Sequence, residues 1–297
     1  MLYCPTIIAV LCAESRGHHG SQTIRNAPGT HRLARRSPPP LRRLGVGPPA
    51  PAPPAAWRSR QLPLVGLARR YRVLALDFPG HGQSAWPYPP RYGMRDFAAV
   101  VVGFADWLGI QRLDLAGHSM GGKVAMLLAA WQPARVNRLL LLDATPGISS
   151  GGLAELRRIA ARPSRLFPSQ SAAAWTFHLI PPETAASLPR LRTLALRSTR
   201  HRGHGRWSIG PDREFFRRIV PEIAWPALSQ IRCPTLILRA QRSNILSKET
   251  ARAMRRAIRG SGLVEVPNTY HHLILERPRE VARAMLAFLV QEADATG

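Results

Sequence analysis

The residues most able to do chemistry are a serine and its neighbours, Gly117-His118-Ser119-Met120-Gly121, set between the apolar run Leu113-Asp114-Leu115-Ala116 and an apolar stripe at Val124, Leu127, Leu128 and Trp131. A serine hydroxyl is a weak nucleophile until a base takes its proton and the chain presents it to a substrate. A G-x-S-x-G turn between a strand and a helix achieves the presentation. Its glycines leave room for a strained turn that lifts the hydroxyl above the sheet, and for a helix packed closely on that sheet. The helix opening at Met120 aims its first backbone N–H groups at negative charge developing on a substrate oxygen. The pattern therefore predicts acyl transfer, with Ser119 as nucleophile and the Met120 N–H as an oxyanion donor. The five residues alone also fit an ordinary glycine-rich turn with an incidental serine, so the flanking strand and helix carry the weight.

Other reactive types give less. His178, His201 and His204 have no acidic or cysteine partner at ligand spacing and read as histidines of a helical cap. Cys4, Cys12 and Cys233 are odd in number, widely spaced and without a C-x-x-C pair, which indicates neither a disulfide framework nor a zinc site. Neither a metal nor an organic cofactor is expected.

Presenting Ser119 requires a sheet with helices against it, and the chain has that alternation from Trp57 onward. Arg72-Val73-Leu74-Ala75-Leu76-Asp77 is a buried-strand run closed by Pro79-Gly80-His81-Gly82. Phe97, Val100, Val101, Phe104 and Leu108 follow at helical spacing up to Gly109. After the Ser119 strand and helix, Pro133 stops the helix, and Leu139 to Leu142 form a strand with Asp143 at its carboxyl end. Residues 146–231 lose the alternation and read as a cap. It resumes with Thr235-Leu236-Ile237-Leu238, a helix near Lys248 to Arg259, the strand Leu263-Val264-Glu265-Val266, and a last helix from Pro278. The fold class is α/β: a mostly parallel sheet flanked by helices, with a helical cap after the sixth strand. Two segments are predicted: an Arg/Pro-rich, atypical stretch over 1–55 with Ser37-Pro38-Pro39-Pro40 at its centre, and a folded domain over 56–297.

Four motifs in order resemble the α/β-hydrolase family, in its lid-bearing esterase and peroxidase-like group. Asp77-Phe78-Pro79-Gly80-His81-Gly82-Gln83-Ser84 resembles that family's D-x-P-G-H-G-x-S loop, and Gly117 to Gly122 its elbow. Cys233-Pro234-Thr235 resembles the entry to its penultimate strand, and His271-His272-Leu273-Ile274-Leu275-Glu276-Arg277-Pro278 its H-x-x-x-x-E-x-P segment. The resemblance implies that His271 is the general base, taking the Ser119 proton as Oγ attacks a carbonyl carbon to give an acyl-enzyme that water hydrolyses. The family's usual position for the triad acid, after the penultimate strand, is here Asn244. Certain members carry the acid after the strand that follows the nucleophile helix, which is the position of Asp143. Both residues remain candidates.

The family's His-Gly oxyanion pair has no counterpart here, because its expected place falls in the Pro-rich stretch and His19-Gly20 is too far upstream. The strand that normally precedes that pair lies mid-sheet, between the Asp77 and Ser119 strands, so another segment must fill the slot. The apolar run Thr6-Ile7-Ile8-Ala9-Val10-Leu11 is the available one. It is predicted to insert as a parallel strand, bringing N–H groups near Ala13 and Glu14 to the second oxyanion position.

The formal charge of +25 raises nucleic acid or an anionic membrane as a partner. The basic residues are nearly all Arg and are scattered, and no nucleic-acid-binding motif accompanies them, so neither partner is expected. The sequence reading is a cytoplasmic serine hydrolase acting on a small, fairly apolar ester or related carbonyl compound. Trp175, Phe177, Trp207, Phe215, Phe216 and Trp225 either line its pocket or form cap core. The alternative is a degenerate, non-catalytic binding protein of the same fold; oligomeric state is not legible.

Overall fold

The computed structural model describes residues 2–3, 8–13, 57–58, 67, 70–82, 84–147, 150–219 and 222–294. The Pro-rich run at 37–54 lies outside them. The chain forms β1 (Leu2–Tyr3), β2 (Ile8–Ala13), β3 (Trp57–Arg58), β4 (Tyr71–Leu76), α1 (Met94–Trp107), β5 (Leu113–His118), α2 (Met120–Trp131) and β6 (Val136–Leu142). There follow α3 (Ser150–Ala161), α4 (Gln170–Trp175), β7 (His178–Leu179), α5 (Leu188–Arg197), β8 (Thr199–His201), β9 (Trp207–Ile209), α6 (Arg213–Arg218) and α7 (Trp225–Leu228). The carboxyl-terminal part is β10 (Thr235–Ala240), α8 (Lys248–Ala257), β11 (Gly262–Val266), α9 (Leu273–Glu276) and α10 (Pro278–Asp294).

Seven strands form one sheet in the order β11-β10-β6-β5-β2-β4-β3. The pairs β11–β10, β10–β6 and β6–β5 are parallel. Apolar runs without alternation suit such strands, because helices bury both of their faces. Successive residues of β6 separate accordingly. Leu139 and Leu141 join the core shared with α1 and α2, and Leu140 and Leu142 join Val281, Met285 and Leu289 of α10 on the other face. Helix α1 stops where the sequence predicts, with Gly109 at φ +71 just beyond its end.

The slot between β4 and β5 is filled by β2, but the expected direction is corrected. Strand β2 runs antiparallel to both neighbours, with Ile8 opposite Leu76 and Gly117, and Ala13 opposite Tyr71. Because the run is apolar at every position, its sequence carries no pattern that specifies direction, and either direction supplies a ladder of hydrogen bonds. The consequence is that Ala13 lies at the amino ends of β4 and β5, away from the elbow, and cannot be an oxyanion donor. Glu14 and Thr6-Ile7 lie outside the described residues.

Between β6 and β10 the chain leaves the sheet and forms α3–α7 with the small ribbon β8–β9. Hydrogen bonds tie this insertion to loops at the carboxyl ends of the strands. The Asp212 N–H donates to the Gly80 carbonyl at 2.7 Å, and buried Tyr92 donates its O–H to Asp212 Oδ2 at 2.5 Å. Arg200 donates to the Ser84 carbonyl at 2.7 Å, and Thr184 to Glu276 Oε1 at 3.0 Å.

Candidate active site

Strand β5 delivers the chain into Ser119, which adopts φ 55 and ψ −123, a conformation that costs energy for any residue with a β-carbon. Packing holds it there. A β-carbon at Gly117 would collide with the Gly121 carbonyl, and one at Gly122 with the side chain of Ala144. The Ser119 N–H donates to the Leu142 carbonyl at 3.2 Å, which locks the turn to β6. Met120 is the first residue of α2, where a backbone N–H has no acceptor within the helix.

His271 follows β11 on a tightly bound loop. The Thr269 hydroxyl donates to the Val266 carbonyl at 2.7 Å, the Tyr270 N–H to Glu276 Oε2 at 2.7 Å, and His118 Nε2–H to the His271 carbonyl at 2.9 Å. So Glu276 of the H-x-x-x-x-E-x-P segment braces the loop ahead of the histidine. The Ser119 hydroxyl and His271 Nε2 are 3.0 Å apart, and His271 Nδ1 and Asp143 Oδ2 are 2.8 Å apart. With Nδ1–H donating to the carboxylate, Nε2 carries the lone pair that faces the serine. Burial holds the imidazole well below the usual histidine range, so the ring is neutral at pH 7.

Asp143 sits just past β6 with φ +43 and is fully buried. Its Oδ1 accepts the Ala240 N–H at 2.8 Å, and its Oδ2 accepts the Ser243 hydroxyl at 2.5 Å beside His271. Burial pushes its carboxyl above the usual carboxylate range, and these two hydrogen bonds pull it back. Asn244 is exposed and donates through Nδ2 to Glu183 Oε2 at 3.1 Å, turned away from this cluster. Of the two candidate acids, then, the carboxylate at 143 is the one beside His271.

A model of the alpha/beta hydrolase family matches residues 45–284. The chain belongs to the alpha/beta hydrolase family. It is 30% identical over 211 residues to a putative carbamate hydrolase, RutD, of Klebsiella pneumoniae, covering 68% of this chain and 74% of that protein. It is 36% identical over 94 residues to a 2-hydroxy-6-oxo-2,4-heptadienoate hydrolase of Pseudomonas putida, covering 32% of this chain and 34% of that protein. Among solved structures, the enol-lactonase from Burkholderia xenovorans shares the fold with a TM-score of 0.60 at 21% identity, covering 77% of this chain and 85% of that one.

His178, His201 and His204 are exposed. The six aromatic residues of the insertion separate: Phe215 and Phe216 belong to the main core, Phe177 and Trp207 pack on a small cluster around Phe167, and Trp175 and Trp225 are exposed. Sequence reasoning missed Ser243, whose Oγ also accepts the Ile245 and Leu246 N–H groups at 3.1 and 3.0 Å. Its one visible signal was being a hydroxyl residue in the loop where the family's acid is usual. Among the described residues no helix is long and apolar enough to cross a membrane.

Proposed function

We propose that this chain is a serine hydrolase that cleaves a small, fairly apolar ester or related carbonyl compound through an acyl-enzyme on Ser119. One observation carries the reading: the unbroken hydrogen-bond path from Ser119 Oγ through His271 Nε2 and Nδ1 to Asp143 Oδ2, with steps of 3.0 and 2.8 Å. In this mechanism Ser119 Oγ bonds to the substrate carbonyl carbon while its proton passes to His271 Nε2. The imidazolium so formed is stabilised by Asp143, and its proton then goes to the leaving group as that bond breaks. Water gives a proton to His271 Nε2 as it attacks the acyl carbon, and His271 returns that proton to Ser119 Oγ as the acyl–Oγ bond breaks. The Met120 N–H supports the oxyanion.

The folded domain in this reading spans 56–297, with 146–231 as its cap. The cap's ties to the 80–84 and 270–277 loops support a role in enclosing the substrate. The relatives' names, a carbamate hydrolase and an oxo-acid hydrolase, support carbonyl substrates as the class. A non-catalytic binding protein was suggested by Asn at the usual acid position, and Asp143 beside His271 weakens that suggestion. A fluorophosphonate probe tests the proposal, because labelling requires an activated serine. Labelling of the wild type and its loss in Ser119→Ala, together with hydrolysis of p-nitrophenyl butyrate, are expected. An unlabelled wild type would refute it.

A further inference from the structure

Residues 270–276 close on themselves around the catalytic base. Glu276, buried at the end of α9, accepts the Tyr270 N–H through Oε2 at 2.7 Å, so His271 and His272 lie within a ring closed by one side chain. Strand β5 holds that ring through His118 Nε2–H, which donates to the His271 carbonyl at 2.9 Å. The insertion holds it through residues 181–190. His272 Nε2–H donates to the Pro181 carbonyl at 2.8 Å, the Thr184 hydroxyl to Glu276 Oε1 at 3.0 Å, and Arg190 to the Leu275 carbonyl. Both Glu276 oxygens act as acceptors, as a carboxylate's do, and Thr184 Oγ in turn accepts the Ala186 N–H at 3.1 Å. One carboxylate is therefore shared between the peptide that leads into His271 and residue 184 of the insertion. We propose that Thr184 is a positioning residue, which acts through Glu276 to make the seating of residues 181–190 and the alignment of His271 with Ser119 a single event.

The inference rests on the serine mechanism proposed above, in which His271 Nε2 takes the proton of Ser119 Oγ from 3.0 Å. Without the Thr184 hydroxyl, Glu276 is oriented by Tyr270 alone, and the ring that carries His271 loosens. A misplacement of about 1 Å at reacting groups costs about 10²-fold in rate, so a ring misaligned for part of the time costs less, about five- to tenfold. The loss falls on kcat, because the geometry that fails is that of the proton transfer. The Pro181 and Arg190 contacts still seat the insertion, so KM is spared.

The test compares Thr184→Val, which keeps the shape and removes the hydroxyl, with Thr184→Ser, which returns it. Thr193→Val is the control, since that hydroxyl donates to the Pro189 carbonyl within α5 of the same insertion. Thr184→Ala takes the place of Thr184→Val if the valine variant does not fold. Hydrolysis of p-nitrophenyl butyrate is measured with the far-downfield proton resonance of His271 Nδ1–H, the group that donates to Asp143, assigned by its loss in His271→Gln. In Thr184→Val, kcat should fall about five- to tenfold with KM within about twofold, and the resonance should shift or broaden. Thr184→Ser and Thr193→Val should match the wild type in both readouts. A wild-type kcat, a change in KM alone, an unmoved resonance, or no recovery in Thr184→Ser overturns the coupling. A wild type that neither labels with the fluorophosphonate nor turns over sinks the hydrolase reading instead. The resonance then decides the coupling by itself: moved in Thr184→Val it upholds the link to His271, unmoved it overturns it.

Discussion

Removing the Ser243 hydroxyl tests how the buried carboxylate of Asp143 is kept charged. The two N–H groups of Ile245 and Leu246 point at Ser243 Oγ, so its own O–H is directed to Asp143 Oδ2, the oxygen that also accepts from His271. A hydrogen bond to a charged group contributes about 1.5–3 kcal/mol, and about 1.36 kcal/mol corresponds to one pH unit. Ser243→Ala therefore makes the Asp143–His271 pair take up a proton more readily. The acid limb of kcat/KM for p-nitrophenyl butyrate moves to higher pH by about 1–2 units. Well above that limb the rates converge, because the remaining donor, Ala240 N–H, still orients the carboxylate. Ser243→Thr restores the hydroxyl and the profile. A Ser243→Ala profile superimposable on the wild type, or a loss equal at every pH, would refute this account; the second would mean that Ser243 only folds the loop.

Two further substitutions follow from the same cluster. Asp143→Asn should reduce kcat by about 10⁴, the loss seen when a triad acid becomes an amide. Because burial raises the Asp143 pKa above its unfolded value, its contribution to stability is present below that unfolded value and is lost as pH rises through the folded one. At pH 7 its charge costs stability. The amide of Asp143→Asn, however, sets an NH2 against a buried donor of Ala240 or Ser243, at about 1–3 kcal/mol, so the variant should melt below the wild type. An unchanged Tm would contradict this. Asn244→Asp should leave kcat/KM within about twofold, since position 244 is exposed and faces Glu183; a large gain would mean that the loop reaches His271 in solution.

The ambiguity over the acid had a physical origin in the sheet. Strands β6 and β10 are adjacent and parallel, with Leu142 paired to Leu238, so the loops that follow them emerge side by side. A carboxylate on either loop can reach the same imidazole, and sequence spacing cannot choose between them. The elbow was legible because its constraints are local: glycines at fixed offsets, a strand before and a helix after. Ser243 was not, because its role exists only once β10 lies against β6. The aromatic residues of the insertion stayed open between pocket and cap core for a related reason, since short helices of six or fewer residues present too few turns for periodicity to reveal a buried face.

The placement of β2 carries the last prediction. Its pairing with β4 and β5 makes it an interior strand, with Val10 opposite Leu74 on one side and Leu115 on the other. Proline at such a position removes a ladder donor and brings a ring against the neighbouring backbone. In Val10→Pro a carbonyl of an adjacent strand loses its partner inside the sheet, at about 1–3 kcal/mol before any clash is counted. The Tm should fall by about 2–4 °C for each kcal/mol. Val10→Thr, which keeps the N–H and the β-branched shape, should melt closer to the wild type. Labelling by the fluorophosphonate probe should fall with stability in Val10→Pro, because Ile8 of the same strand pairs with Gly117 at the foot of the elbow. A Val10→Pro protein that melts and labels like the wild type would show that residues 8–13 are not the strand between β4 and β5. The sheet would then have to close by direct pairing of those two strands.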